Sequence, residues 1–201
     1  MLIPIQQLVR RYNPQFTGVI HVGGHWLEEY QDYKSAGIER QVWIEPCMAA
    51  YMEMVKKATM LKDDNLILIR GACGEKEEHG VVMNVSPANQ GQSNSILKPE
   101  LHLSQHPEIQ FTDTELIDVY RLDDMEIEKG KYNFLAMDCQ GFEGYVLKGA
   151  TETLKHIDYV YTEVNKAAVY TGNTLIEEMD ELLNEFTRVE TSWVGNWGDA
   201  F

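Results

Sequence analysis

Three features of the sequence predict an α/β fold in which a parallel sheet carries helices on both faces. Strand-like and helix-like segments alternate along the chain. The strand-like segments are short continuous apolar runs, the pattern of strands covered on both faces rather than of a half-exposed sheet. The 201 residues, 44% of them apolar, suffice to bury one sizeable core, so residues 1–201 are expected to form a single domain.

Residues 1–16 carry a leading helix, where "IPIQQLVRRY" spaces its apolar residues helically. "TGVIHVG" is a β-branched run ended by glycine, a first buried strand. "WLEEYQDYKSAG" reads as a helix closed by Gly37. "RQVWIEP" is the second strand, stopped by Pro46, and "CMAAYMEMVKKATM" the second helix. "DNLILIRGACG" gives the third strand and "GVVMNVSP" a further extended segment. "ANQGQSNSILKPELHLSQHPEIQ" is polar and without period, the kind of stretch from which functional loops are drawn. "TELIDVYRLDDM" is a strand and a turn, and "KYNFLAMDCQG" a buried strand ending at Asp138. "FEGYVLKGATETLKH" reads as a helix with a glycine near its middle, and "IDYVYTEVN" as a strand ending near Glu163. "TLIEEMDELLNEF" is an amphipathic helix with Asn173 or Thr174 as N-cap. "TRVETSWV" is read as the last strand, with "WGDAF" either its truncated sequel or an end at the sheet edge.

Composition excludes several classes of function. With 17 basic against 32 acidic residues the net charge is −15, and a phosphate backbone would repel such a surface, so no nucleic-acid partner is expected. The longest apolar runs, such as Leu66 to Ile69, are far too short to span a bilayer, so no membrane role is expected. Cys47, Cys73 and Cys139 are scattered and odd in number, as reduced thiols of a cytoplasmic protein would be.

In parallel α/β sheets ligands bind at the carboxyl ends of the strands, where strand order reverses. That rule gathers Gly23, Gly24, Glu45, Ala72, Cys73, Asp138 and Glu163. Gly23 and Gly24 let backbone approach a ligand, or simply form a tight turn. Glu45, some 20 residues on, is placed to accept hydrogen bonds from the ribose hydroxyls of a nucleoside, or is a solvated loop acid. Asp138, at the mouth of an apolar strand, would be costly there unless used or paired. It suits binding of substrate hydroxyls, holding a cation, general-base work or capping of the next helix. His21 and His25 form an HxxxH pair, but a glycine turn separates them and no third ligand has suitable spacing, so no metal site is expected.

"VIHVGGHWLEEY…WIEP", "NFLAMDCQGFEGYVLKGA", "YVYTEVN" and "WGDAF" resemble the FkbM-type family of S-adenosylmethionine-dependent methyltransferases, from about Thr17 to the end. The most specific part is "MDCQGFEGYVLKGA", which is similar to the family's D-x-Q-G-x-E-x-x-V-L-x-G-A signature in order and spacing. The resemblance implies a Rossmann-like class I methyltransferase fold of seven strands, S-adenosylmethionine as cofactor, and methyl transfer to an oxygen of a sugar or other small acceptor. It implies a cofactor site of His21, Gly23, Gly24, His25, Glu45, Pro46, Ala72, Cys73 and Asp138. Ser93, Asn94, Ser95, Gln140 and Glu143 would meet the acceptor, and Asp138 and Glu163 would serve catalysis. The chain departs from the commonest family form at three positions: His21 replaces an acid, His25 an asparagine and Leu27 the last glycine of the first turn. Leu27 would limit how closely that turn approaches the methionine part of the cofactor. Two rivals remain, a binding module that keeps the fold without catalysis and a nicotinamide-dependent oxidoreductase; the latter is disfavoured because "GGHWLEE" lacks the G-x-G-x-x-G spacing.

Overall fold

The apolar run at Gly18–Val22 forms β1, buried along its whole length. Because side chains alternate across a strand, Val19 enters the core on one face of the sheet, and Ile20 and Val22 the core on the other. In this computed structural model, which describes residues 1–201, β1 pairs in parallel with β2 (Arg40–Glu45) on one side and β7 (Phe134–Met137) on the other. β3 (Leu66–Arg70) extends the sheet beyond β2 and β8 (Tyr159–Asn165) beyond β7, both again parallel. A terminal hairpin, β9 (Thr191–Val194) and β10 (Trp197–Ala200), completes seven strands in the order β3-β2-β1-β7-β8-β10-β9. β10 runs antiparallel to both β8 and β9.

Helices cover both faces, as expected. On one, α1 (Ile5–Tyr12), α2 (Tyr30–Ser35) and α3 (Met48–Leu61) place Ile5, Leu8, Tyr33 and Met54 around Trp43 and Phe134. On the other, Val146 and Leu147 of α5 (Glu143–Lys148) and Ile176 and Met179 of α6 (Ile176–Leu182) pack against Ile20, Val22, Leu135 and Met137. Between β3 and β7 the chain builds a second sheet of β4 (Ala72–Cys73), β5 (Glu78–Val85) and β6 (Asp113–Tyr120), ordered β4-β6-β5. Its buried side chains, Ala72, Met83, Ile117 and Val119, meet Cys47 and Ala50, which docks this sheet beside the carboxyl ends of the main strands.

Several elements differ from the sequence reading, each for a reason visible in the structure. The third strand breaks at Gly71, and Ala72–Cys73 joins the second sheet. The aperiodic stretch contains α4 (Leu101–Gln105), too short to show a period. The helix before Gly37 starts only at Tyr30, because His25 and Leu27 adopt positive φ (37° and 58°) that no helix contains. The helix after Phe142 stops at Gly149, where a Cβ would stand 1.9 Å from the Gly74 carbonyl oxygen. The next turn is instead held by Asp123, whose carboxylate accepts the N–H groups of Glu152 and Thr153. The N-cap of α6 is Leu175, its N–H donated to the Glu178 carboxylate at 3.0 Å, because Asn173 accepts the Tyr170 N–H instead. "WGDAF" does not lie at the sheet edge: its residues 197–200 are the strand between β8 and β9.

Trp43 is fully buried and its indole N–H donates to Gln41 Oε1 at 2.9 Å. Trp43→Ala is expected to lower unfolding free energy by about 3–5 kcal/mol, since the large void it leaves cannot collapse. A urea titration showing a loss under about 1 kcal/mol would contradict this role of Trp43 as keystone of the core under β1 and β2.

Candidate active site

Strand order reverses between β1 and β7, and there the two strand tips meet. Gly23 and Gly24 both donate their N–H to the Ile44 carbonyl at 3.0 Å, which ties the tip of β1 to β2. Asp138 N–H in turn donates to Val22 O at 3.0 Å. Gly23 has φ +87°, and a Cβ on it would lie 1.8 Å from the Asp138 carbonyl oxygen. Only glycine lets these tips come so close. Above them opens a cleft of ≈ 400 Å³.

Glu45 forms one wall of the cleft at the end of β2. One carboxylate oxygen accepts the His25 N–H at 2.9 Å and the other the Cys47 N–H at 2.8 Å. It therefore fixes the turn after β1 and the start of α3 together, with lone pairs left for a ligand. Burial raises its pKa to about 7, against the lowering pull of those two backbone donors.

Asp138 and Glu163 stand at the other side, joined by one side chain. Gln140 Nε2 donates to Asp138 Oδ1 at 2.7 Å and to Glu163 Oε2 at 3.1 Å, while its Oε1 accepts the Tyr170 hydroxyl at 3.0 Å. Gln140 holds φ +51° to do so, and Ser95 Oγ donates to its carbonyl at 2.8 Å. Burial pushes Asp138 up to about 6. The Asp138 side chain is nevertheless exposed toward the cleft, so water reaches it and screens that shift. Glu163 is raised well above the carboxylate range, first by burial and then by the charges of Asp138, Glu143 and Asp199. The environment thus raises the proton affinity of both carboxyls, with Asp138, Glu143 and Asp199 adding to burial at Glu163.

The expected residues converge in large part. His21, Gly23, His25, Glu45, Pro46, Ala72, Cys73 and Asp138 line the cleft, as do Ser93, Asn94, Ser95, Gln140 and Glu163. Gly24 does not: it packs beneath, where a Cβ would come within 2.9 Å of Met54 Sδ and 3.3 Å of Trp43. Glu143 is also outside the cleft; its carboxylate accepts the N–H groups of Cys139 at 2.6 Å and Gly141 at 3.3 Å, bracing the turn that presents Gln140. His21 contributes wall only, its ring stacked on Trp43 at 4.2 Å and bonded to Tyr33 Oη at 2.9 Å, with burial holding its pKa down. Leu27 does not crowd the cleft. Its side chain is buried with Tyr30 and Ile38 in the core on the α1–α3 side. Tyr170 and His102 line the cleft and were not singled out by sequence; "VYTGN" and "ELHLSQ" carry no motif that marks them.

The donor set fits a cationic nucleoside. Glu45, Asp138, Glu143 and Glu163 are drawn together without a single lysine or arginine ion partner. These carboxylates would repel a pyrophosphate, whereas they would attract a sulfonium and an α-ammonium.

Buried Glu45 and Glu143 have folded-state pKa values above those of the unfolded chain, so the folded state binds more protons between pH 4.5 and 7. The stability they contribute is present below pH 4.5 and lost as pH rises through about 7. The melting temperature of the ligand-free protein is expected to fall between about pH 5 and pH 8, and Glu45→Gln to flatten that fall. A melting curve series that is level or rises across this interval would contradict it.

Comparison with known proteins agrees with this geometry. The Methyltransferase FkbM domain model matches residues 23–189. A 2-O-methyltransferase, NoeI, of Sinorhizobium fredii is 33% identical over 110 residues, covering 54% of this chain and 45% of NoeI. The chain therefore spans less than half the length of that relative. The fold of methyltransferase FkbM from Methylobacillus flagellatus superposes with a TM-score of 0.60 at 15% identity, over 92% of this chain and 43% of that one. Streptococcus pneumoniae Sp1610, solved in complex with S-adenosyl-L-methionine, gives 0.54 at 12% identity, over 100% of this chain and 71% of that one. A seven-stranded class I sheet, the acid-lined cleft at its switch point and a family match across most of the sequence lead to one conclusion: this chain belongs to the FkbM family of S-adenosylmethionine-dependent methyltransferases.

Proposed function

We propose that the chain is a single cytoplasmic methyltransferase domain that moves a methyl group from S-adenosylmethionine to a hydroxyl oxygen of a sugar or other small metabolite. The observation that carries this reading is the placement of Glu45 and the Asp138–Gln140–Glu163 group on opposite sides of one cleft at the switch point. Support for an oxygen acceptor comes from NoeI, a 2-O-methyltransferase by name. The net charge of −15 speaks for a small acceptor over nucleic acid, and no helix is long and apolar enough to cross a membrane. Three free cysteines suit a reducing compartment.

The cofactor, when bound, supplies an already activated methyl group, so the protein's task is mainly alignment and exclusion of water. Glu45 would accept the ribose hydroxyls. Gly23, with no side chain, lets the Asp138 backbone close the floor of the cleft, and Ala72 and Cys73 would border the adenine. On the far side Asp138 would take the proton of the acceptor hydroxyl, with Glu163 held beside it by Gln140 and Asn165. Gln140 keeps both carboxyls in register. The Ser93–Ser95 segment, tied to Gln140 through Ser95, would cover the acceptor. The rival of a fold without catalysis drew on Leu27, and that side chain lies in the core rather than in the cleft.

Calorimetry with S-adenosylmethionine is expected to show binding, and Glu45→Ala to weaken it tenfold or more, as loss of a buried charged hydrogen bond costs ~1.5–3 kcal/mol. Unchanged affinity would remove Glu45 from the ribose. Asp138→Asn should leave binding in place and cut turnover on a hydroxyl acceptor, found by a glycan screen with labelled cofactor, by roughly 100- to 10,000-fold. Full turnover in that variant would reduce Asp138 to a structural part.

A further inference from the structure

His25 carries two hydrogen bonds that only a charged ring can make together. Its Nδ1 lies 2.6 Å from Glu28 Oε1 and its Nε2 lies 2.9 Å from the Gln90 carbonyl oxygen. A carbonyl oxygen only accepts, and an ionised carboxylate only accepts. Both ring nitrogens must therefore carry a proton. Glu28 is itself anchored, its second oxygen accepting the Trp26 N–H at 2.9 Å, while the His25 ring stacks on Trp26 at 4.8 Å. His25 also pays for a left-handed backbone at φ +37°, uncommon for a residue with a side chain.

The two partners belong to different parts of the molecule. Glu28 follows the turn after β1, whose backbone His25 joins to Glu45. Gln90 sits at the tip of the loop between β5 and α4, closed on itself by Gly91 N–H to Ser86 O and Asn94 N–H to Gly91 O, both 2.9 Å. Both segments line the cleft. We propose that His25 is a positioning residue: as an imidazolium it clasps the Ser86–Ser95 loop to the cofactor-side turn and so holds the rim of the cleft closed. That this loop meets the acceptor rests on the function proposed above; the clasp itself does not.

The charges around the ring agree. Burial lowers the pKa of His25, but the bonds to Glu28 and to the Gln90 carbonyl, with the charges of Glu28 and Glu45, outweigh it and leave it raised. Glu28 is lowered despite its own burial, chiefly by His25. From α3 the Lys57 ammonium faces the same turn, donating to the Trp26 carbonyl at 2.5 Å. The loop between Pro87 and Leu97 brings no titratable side chain. A histidine raised in the folded state fastens the loop fully below the unfolded value, about 6.5, and releases it as pH climbs through the higher folded value.

The test uses the ligand-free protein, with ring-nitrogen NMR for the charge and amide hydrogen exchange for the loop. At pH 7 both His25 ring nitrogens should be protonated, with a midpoint above ~6.5. The protection factors of Gly91 and Asn94 should fall about tenfold on passing that midpoint, the worth of one charge-assisted bond. His25→Gln should show the low protection at every pH. Glu28→Gln should move the midpoint down. His25→Arg, always charged and rich in donors, should keep the protection at all pH values. A neutral ring at pH 7, or protection indifferent both to pH and to His25→Gln, overturns the clasp. If these signatures appear while S-adenosylmethionine fails to bind, the methyltransferase reading falls and the clasp stands.

Discussion

The close approach of the β1 and β7 tips is the constraint from which the rest follows. With Gly23 carrying no Cβ, Asp138 can bond its N–H to Val22 and place its carbonyl where a side chain would otherwise stand. The same turn spends two N–H groups on one Ile44 carbonyl and a third, that of His25, on Glu45. Three neighbouring strand ends are thereby locked to one another by main-chain bonds, with little freedom left to any side chain. A rigid floor of this kind holds reacting groups to sub-ångström tolerances, which transfer between two bound molecules requires.

Much of this was legible in sequence, for physical reasons that can be named. Strands such as "TGVIHVG" and "NFLAMDCQG" are covered on both faces, so continuous apolar runs betray them without ambiguity. Glu45, Asp138 and Glu163 could be placed because a carboxylate closing such a run lies at the sheet's carboxyl edge whatever the neighbouring strand order. Local reading failed where a distant partner decides. Nothing within "FEGYVLKGATETLKH" announces that position 149 admits only glycine, since what excludes a side chain there is the carbonyl of distant Gly74. Glu143 looked like an acceptor contact because its motif is distinctive, but its carboxylate is consumed by the amides of Cys139 and Gly141. "WGDAF" lacked a strand's length, yet pairing on both sides makes a strand of it. Leu27 shows the converse, a bulky residue at a glycine position whose left-handed backbone turns the side chain into the core.

The second sheet explains how a small domain obtains a covered site. Inserted between β3 and β7, it rests its own apolar face on Cys47 and Ala50 at the start of α3. That docking carries β5 past the cleft and delivers the Ser86–Ser95 loop to its rim. The loop then reaches the floor through two bonds of different character. Ser95 to the Gln140 carbonyl is neutral and independent of pH, while His25 to Gln90 depends on a proton. One fixes the loop on the Asp138 side of the cleft and the other on the Glu45 side.

Electrostatics set the remaining tension. Burial raises the proton affinity of Glu45, Glu143 and Glu163, and the charge of Asp138 adds to it at Glu143 and Glu163. A fold selected for stability alone would carry apolar side chains or paired charges at such positions, because unpaired buried carboxylates oppose folding as pH rises. Retaining them makes sense when the compensating cation arrives with the ligand. A sulfonium nucleoside brings a fixed charge that no pH change removes, and its approach would favour the ionised forms that burial disfavours. Affinity for the cofactor, the basicity of Asp138 and the acid-side stability of the empty domain are then three expressions of one arrangement of charge, and none can be altered without moving the other two.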